Sequence, residues 1–456
     1  MMSEDTEAAT ADRITASVGI NAEDHRGQLR MAERLAQEYT GRLLHVHEIG
    51  WHVWTGKYWA PDRDGGAMRN VRDTLKAGLH EAAEMAFGSD ESKKLYTDVR
   101  TCESAAGMKG VLGIASCLDG LSAAPDRLNE DPHLFNCTMG TIDLRNGAVR
   151  DHSPADLITK IAGCGFGAAP TFERFLGEIL PDEEVRAFVQ RLLGYAMLGT
   201  VREHVMAIWT GSGKNGKSTL IETVKRAFGG YGITAEPELL LHREGAHPTG
   251  QADLMGVRLA VISETGEGQK MSASTVKRLC GGDTIRARRM RQDFIEFAPS
   301  HTLIMLTNFA PKVPGDDPAL WRRLLMVPFD VVIAEPDPSL PEQLALELDG
   351  VLTWLYEGYR AYHQIGLAPP GAVTRRTAEY QASSDVLARF LDERTQANVN
   401  SAVGARELYG AWSTWCQGSG EEGGSEVVFA AAMARHGHAK RKSGSMIYPG
   451  LLLLSQ

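Results

Sequence analysis

The sequence predicts an α/β core on a parallel sheet, preceded by an α+β region and a helical unit and followed by a small helical unit that ends in strands. Three observations carry this. Short apolar runs at 204–209, 257–263, 301–307 and 325–330 alternate with helical and loop segments, the rhythm of a parallel sheet. The first run leads into WTGSGKNGKSTLIETV, a glycine-rich turn followed by helical periodicity. Beyond residue 373 the order reads helix, helix, helix, strand, strand, the order of a winged helix.

The elements then fall into order. The chain has 456 residues, room for roughly three domains at about 150 residues each. Residues 1–20 are acidic and rich in small side chains and are expected to be a disordered tail. Residues 21–150 read as α+β: helical periodicity, then an alternating run carrying Trp51, Trp54 and Trp59, then helices around 66–87 and 92–121. The tryptophans are expected in the core. The segment GTIDLRNGAVRDH reads as a hairpin, with Asn146-Gly147 favouring a type I′ turn. Residues 151–200 form a helical, collar-like unit, 201–335 the sheet core, 336–372 a helical segment and linker, and 373–456 the last unit.

Composition limits the function. Hydrophobic content of 43% and charged content of 23% describe a globular chain. A net charge of −10 argues against a uniformly nucleic-acid-coating surface, although a groove can be basic on an acidic body. Cys102, Cys117, Cys137, Cys164, Cys280 and Cys416 form no CxxC pair, which speaks against structural zinc and fits a reducing cytoplasm. No apolar run reaches the ~18 residues needed to span a bilayer, so no membrane partner is expected.

The glycine-rich turn carries the chemistry. Gly211, Ser212, Gly213, Lys214, Asn215, Gly216, Lys217, Ser218 and Thr219 contain G-x-x-x-x-G-K-[ST] in full, between a strand and a helix. Glycines let successive amides turn inward onto phosphate oxygens, and the helix adds its positive end. Lys217 would reach the β/γ-phosphates of ATP, and the Ser218 hydroxyl would ligate Mg²⁺. The second strand runs into Glu264, which could hold the metal's water shell or polarise the attacking water; Glu267 is the alternative. The third strand ends in Asn308, an uncharged amide able to orient water.

Between those strands, residues 277–291 hold Lys277, Arg278, Arg286, Arg288, Arg289 and Arg291 against Asp283, a net +5 in an acidic protein. The alternation of TIRARRMRQDFIEF suggests a basic hairpin that grips a DNA backbone. Arg322 and Arg323 follow; either could be donated to a neighbour's γ-phosphate, or could pair locally with Asp316 or Asp317. In the last unit, residues 426–437 are the recognition-helix candidate, capped by Ser425, with Arg435, Lys440, Arg441 and Lys442 as phosphate contacts.

GSGKNGKST, RLAVISETGEG, VKRLCGGDTIRARR and LTNFAPKVPGDDPALWRRL, in that order, resemble the AAA+-like superfamily 3 helicases. The likeness is strongest to the poxvirus-type and satellite-phage-type primase–helicase branch found in phages and plasmids. It extends over roughly residues 25–456. The resemblance implies a P-loop NTPase core, rings of about six copies with ATP at their seams, and translocation on single-stranded or forked DNA in a bacterial host's cytoplasm. It implies Lys217 and Ser218 as the nucleotide pair and Glu264 as the acid. It places Lys277, Gly282, Asp283 and Arg288 in the hairpin motif, with Asn308 as sensor and Arg322 or Arg323 as finger. Gly266 departs from the family's usual second acid. The chain looks too short for its own primase domain, so a helicase with a separate primase or polymerase is expected. The alternatives are a nucleotide-assembled initiator scaffold and a chain with priming activity near its N-terminus.

Overall fold

The computed structural model describes residues 22–240, 249–263, 269–288, 294–315 and 317–454; the tail expected at 1–20 lies outside the described residues. The chain opens with four helices, α1 (Gly27–Tyr39), α2 (Gly66–Glu84), α3 (Asp90–Cys102) and α4 (Ala105–Ala115). They close around Met31, Leu35, Val71, Leu95, Val99 and Val111. Their starts are fixed locally: Asp62 accepts from the Gly66 and Ala67 amides, and Ser89 and Ser104 cap α3 and α4. Strands β1 (Leu43–Val46), β2 (Gly50–Trp54), β3 (Trp59–Pro61) and β4 (Ser122–Ala123) pair in the order β3-β2-β1-β4. Trp59 is buried and donates its indole N–H to the Pro154 carbonyl at 2.9 Å, while Trp51 and Trp54 are half-buried.

A meander follows, β5 (Leu134–Cys137), β6 (Gly140–Asp143) and β7 (Ala148–Arg150). Its turn differs from the expected type I′. Four residues, 144–147, join β6 to β7, because Asp143 still pairs with Ala148. Of the Asn-Gly pair only Gly147 takes a positive φ, 76°. The Asn146 side chain instead accepts from the Ala148 amide at 2.8 Å and closes the turn itself.

Helices α5 (Pro170–Ile179) and α6 (Glu183–Tyr195) lead into the core: β8 (Met206–Thr210), α7 (Lys217–Phe228), β9 (Gly232–Ala235), α8 (Thr249–Ala252), β10 (Leu259–Ser263), α9 (Ala273–Leu279), β11 (Ile285–Arg288), β12 (Phe294–Phe297), β13 (Thr302–Thr307), α10 (Pro318–Trp321) and β14 (Leu324–Pro328). Five strands pair in parallel, in the order β14-β8-β13-β10-β9. Four of them lie where the apolar runs predict. The edge strand β9 was not legible, since GITA is short and half-exposed.

The runs are apolar throughout because both faces of the sheet are covered. Ala207, Trp209, Leu259, Val261, Ile304, Leu306 and Val327 face one layer, which includes α6 and α7. Met206, Ile208, Ala260, Ile262, Leu303, Met305 and Met326 face the layer of α9, α10 and the β11–β12 hairpin.

The helical segment expected within 336–372 forms, and it packs on the core. Helix α11 (Leu340–Leu346) leads to α12 (Leu348–Ile365), which lies along α6 so tightly that a Cβ on Gly194 would stand 2.1 Å from the Tyr359 nitrogen. The apolar stripe Val351, Leu352, Leu355 and Tyr359 drives this pairing. Helix α13 (Gly371–Ser384), expected to start the last unit, instead covers β14: Val373 is fully buried and the Thr377 hydroxyl accepts from the Met326 amide at 3.0 Å.

The last unit contains α14 (Val386–Arg394), β15 (Thr395–Gly404), α15 (Ala405–Ser419), α16 (Glu426–Arg435), β16 (Arg441–Ser443) and β17 (Ser445–Leu453). Its sheet order is β15-β17-β16, over Phe390, Trp412, Phe429 and Tyr448. Strand β15 was unexpected because TQANVNSAVG is polar and mostly exposed.

Candidate active site

Parallel pairing collects the candidate residues on one rim. Thr210 ends β8 opposite Thr307, which ends β13, so the loop 211–216 and Asn308 leave the sheet side by side. Ligands of open parallel sheets bind at these carboxyl ends. Ser263 ends β10 beside them; Glu264, which follows it, and Glu267 lie outside the described residues.

The loop is held from below. Phe329, just after β14, donates its amide to the Thr210 carbonyl at 2.8 Å, and Ile333 donates to the Lys214 carbonyl at 2.8 Å. The buried Asn215 side chain donates to the Phe329 carbonyl at 3.1 Å. Gly216 sits at φ 76° directly over α5, where a Cβ would fall 2.5 Å from Ile179 Cγ2, so both its conformation and its space require glycine. The motif alone gives no signal of Asn215 as an anchor.

Lys217 is the first residue of α7. Its side chain is buried, with Nζ 3.0 Å from the Gly211 carbonyl and 3.4 Å from Asn308 Oδ1. No carboxylate is paired with it among the described residues. Burial pulls the ammonium pKa below the usual lysine value. Ser218 is exposed one residue further along, Thr219 is half-buried, and the Thr210 hydroxyl at the loop's entrance is buried without a partner among the described residues. Ser212 and Lys214 are exposed, with Gly211 and Gly213 between them half-buried. This arrangement can accept an anion: the N-terminus of α7, a desolvated cation and the Ser218 hydroxyl stand next to one another at the loop's end.

The opposite rim holds the other candidates. Arg322 and Arg323 immediately precede β14, and the Arg323 carbonyl accepts from the amide of Met206, the first residue of β8. Arg322 is exposed. Arg323 is half-buried; one guanidinium nitrogen donates to the Ala319 carbonyl, and its Nε makes no hydrogen bond. Asp317 is already engaged: Lys277 Nζ lies 2.7 Å from its carboxylate. Burial alone would raise the Asp317 pKa, but Lys277 and the Leu320 amide overcome that and hold it below the usual range. Lys277 is therefore an ion-paired residue of α9, not a projecting hairpin residue. Asp316 lies outside the described residues.

The basic hairpin forms as expected, with Arg286 opposite Glu296 and Arg288 opposite Phe294. Arg286 and Arg288 are exposed; Arg289 and Arg291 lie outside the described residues. In the last unit, Ser425 caps α16, whose outer face presents Val427, Val428, Ala431 and Ala434. Arg441 and Lys442 are exposed on β16, and Lys440 lies 3.5 Å from the Glu426 carboxylate.

Two families match. The family described as "D5 N terminal like" covers residues 32–181, and a family of unknown function, DUF5906, covers residues 209–323. A protein named as a helicase in Acanthamoeba polyphaga mimivirus is 28% identical over 319 residues, 63% of this chain and 33% of its own. A protein named as a primase in African swine fever virus (strain Badajoz 1971 Vero-adapted) is 23% identical over 341 residues, 67% of this chain and 35% of its own.

The chain is similar to proteins named as helicases and primases.

It spans about a third of the length of these relatives, which come from viruses of eukaryotes. The second matched segment runs from Trp209 to Arg323, so it contains the loop, Asn308, the hairpin and both arginines. Among solved structures, the apo C-terminal region of NrS-1 aligns with 76% of this chain and 89% of its own at 12% identity, with a TM-score of 0.41. No helix among the described residues is long and apolar enough to cross a membrane.

Proposed function

We propose that this chain is the motor portion of an ATP-driven DNA helicase of phage or plasmid replication, built on an AAA+-like P-loop core and working as a ring of about six copies on single-stranded DNA. The observation that carries the proposal is Lys217: a desolvated ammonium at the head of α7, facing Asn308 across the carboxyl rim with no acid paired to it among the described residues. A triphosphate supplies the missing negative charge.

In this reading the Lys217 ammonium leaves the Gly211 carbonyl for the β/γ-phosphate oxygens, while the amides at the start of α7 take the β-phosphate. Ser218 fits as a ligand for Mg²⁺, which when bound neutralises phosphate charge. The Asn308 amide orients the attacking water, with Glu264 as the candidate to polarise it. Arg322 and Arg323 sit at the far end of β14, a strand length or about 15 Å from their own loop. They are better placed to serve the loop of a neighbouring copy, which is why the site is completed at a seam. Motion at that seam would carry the β11–β12 hairpin along the strand. The last unit, read as a winged helix, would contact forked DNA through Arg441 and Lys442 on its β16–β17 turn.

The test is hydrolysis. Lys217→Ala is expected to lower ATP turnover stimulated by single-stranded DNA at least about a hundredfold while leaving the melting temperature within a few degrees. Turnover near wild type overturns the proposal. Nucleotide-dependent assembly without DNA-stimulated turnover in the wild type would favour the initiator-scaffold reading, and primer synthesis by this chain alone would add priming.

A further inference from the structure

We propose that Phe294 is a base-stacking residue for an unpaired DNA strand, so that the hairpin holds bases as well as phosphates. The inference deepens the helicase reading above and rests on it.

The hairpin has two unlike faces. Ile285, Ala287, Ile295 and Phe297 are buried against the sheet, whereas Arg286, Arg288, Phe294 and Glu296 stand on the outer face. Two phenylalanines three residues apart therefore have opposite fates: Phe297 is 7% exposed and Phe294 is 40% exposed. Phe297 packs. The outer ring of Phe294 instead has two cations beside it, with the Arg286 guanidinium carbon 4.6 Å and the Arg288 guanidinium carbon 4.9 Å from its centroid. Arg286 is also steadied by the Glu296 carboxylate at 3.5 Å.

This grouping suits an unpaired strand. A nucleobase exposes two apolar faces once it leaves the duplex, and an aromatic ring covers one of them whatever the base. The flanking guanidiniums attract the adjoining phosphates and can themselves stack. A paired base keeps its faces inside the duplex and cannot use the ring. Phenylalanine adds no hydrogen-bonding group, so the contact tolerates any sequence. The residues thus select strandedness, which a row of arginines alone does not.

The experiment compares a deoxyoligonucleotide with one of equal length whose central residues are abasic, for wild type, Phe294→Leu and Phe294→Trp. Wild type is expected to prefer the base-bearing strand on the order of tenfold. Phe294→Leu, at an exposed position, is expected to lose that preference and keep its affinity for the abasic strand and its salt dependence; Phe294→Trp keeps the preference. A 2-aminopurine at the central position should be quenched by wild type and not by Phe294→Leu. If Phe294→Leu retains the preference and the quenching, the stacking role is overturned and the helicase reading stands. If wild type binds neither strand, both fall.

Discussion

At the residue scale, burial sets the behaviour of two side chains. The Lys217 pKa is lowered because its ammonium is held out of water. A bound triphosphate favours the charged form and raises the pKa again. Nucleotide binding should therefore take up protons at a pH below the usual lysine value, and affinity should fall as pH rises before it would for a solvent-exposed lysine. Calorimetry in buffers of different ionisation enthalpy measures this; no proton uptake at any alkaline pH would contradict the desolvated site. His301 lies fully buried just before β13, neither ring nitrogen has a hydrogen-bond partner among the described residues, and burial pushes its pKa down to about 4, opposed in part by the Leu279 backbone. The unfolded chain protonates it near 6.5 and the folded chain does not, so stability should fall as pH drops from about 6.5 to about 4. His301→Leu should flatten that part of a denaturant-midpoint-versus-pH curve, and an unchanged slope would refute the assignment.

At the scale of elements, Arg258 joins parts of the chain that are distant in sequence. It enters β10 fully buried and donates to the carbonyls of Pro132, Met197 and Leu134 at 2.8, 2.6 and 2.9 Å, with its guanidinium over the Tyr231 ring. It thereby ties the β5–β7 meander and the end of the helical unit to the sheet. Arg258→Met keeps most of the volume and removes three hydrogen bonds, although the Pro132 carbonyl still accepts from the Gly199 amide at 2.9 Å, a loss on the order of 2 kcal/mol by urea denaturation. A loss within error would mean the three contacts are dispensable. In sequence Arg258 is one charge before an apolar run, and no local pattern marks it. The strands themselves were legible because both faces are buried and the runs are continuously apolar. Strands β9 and β15 were not, because their order comes from neighbours that supply hydrogen bonds and one-sided cover.

At the scale of the whole molecule, the sheet separates the two halves of the proposed catalytic apparatus. The loop and Asn308 lie on the carboxyl rim and the two arginines on the amino rim. A head-to-tail ring would bring one rim against the other of the next copy. Mixing Lys217→Ala protein with an Arg322→Ala, Arg323→Ala double variant should then restore turnover that neither has alone, approaching roughly a quarter of wild type at equal amounts if seams form at random. No recovery, with mixed oligomers demonstrated, would place the arginines outside the site.

The sequence by itself determined the parallel core, the glycine-rich loop and its lysine, and the basic hairpin. Each is written in local periodicity or in a contiguous motif, where steric and hydrogen-bonding rules act over a few residues. Tertiary structure alone decided that residues 348–384 belong to the core. It also decided that Lys277 is spent on Asp317, that Arg258 fastens three segments, and that Phe294 lies beside two arginines. Those facts depend on which surfaces meet after the chain has folded, and pairing across many residues leaves no trace in local spacing.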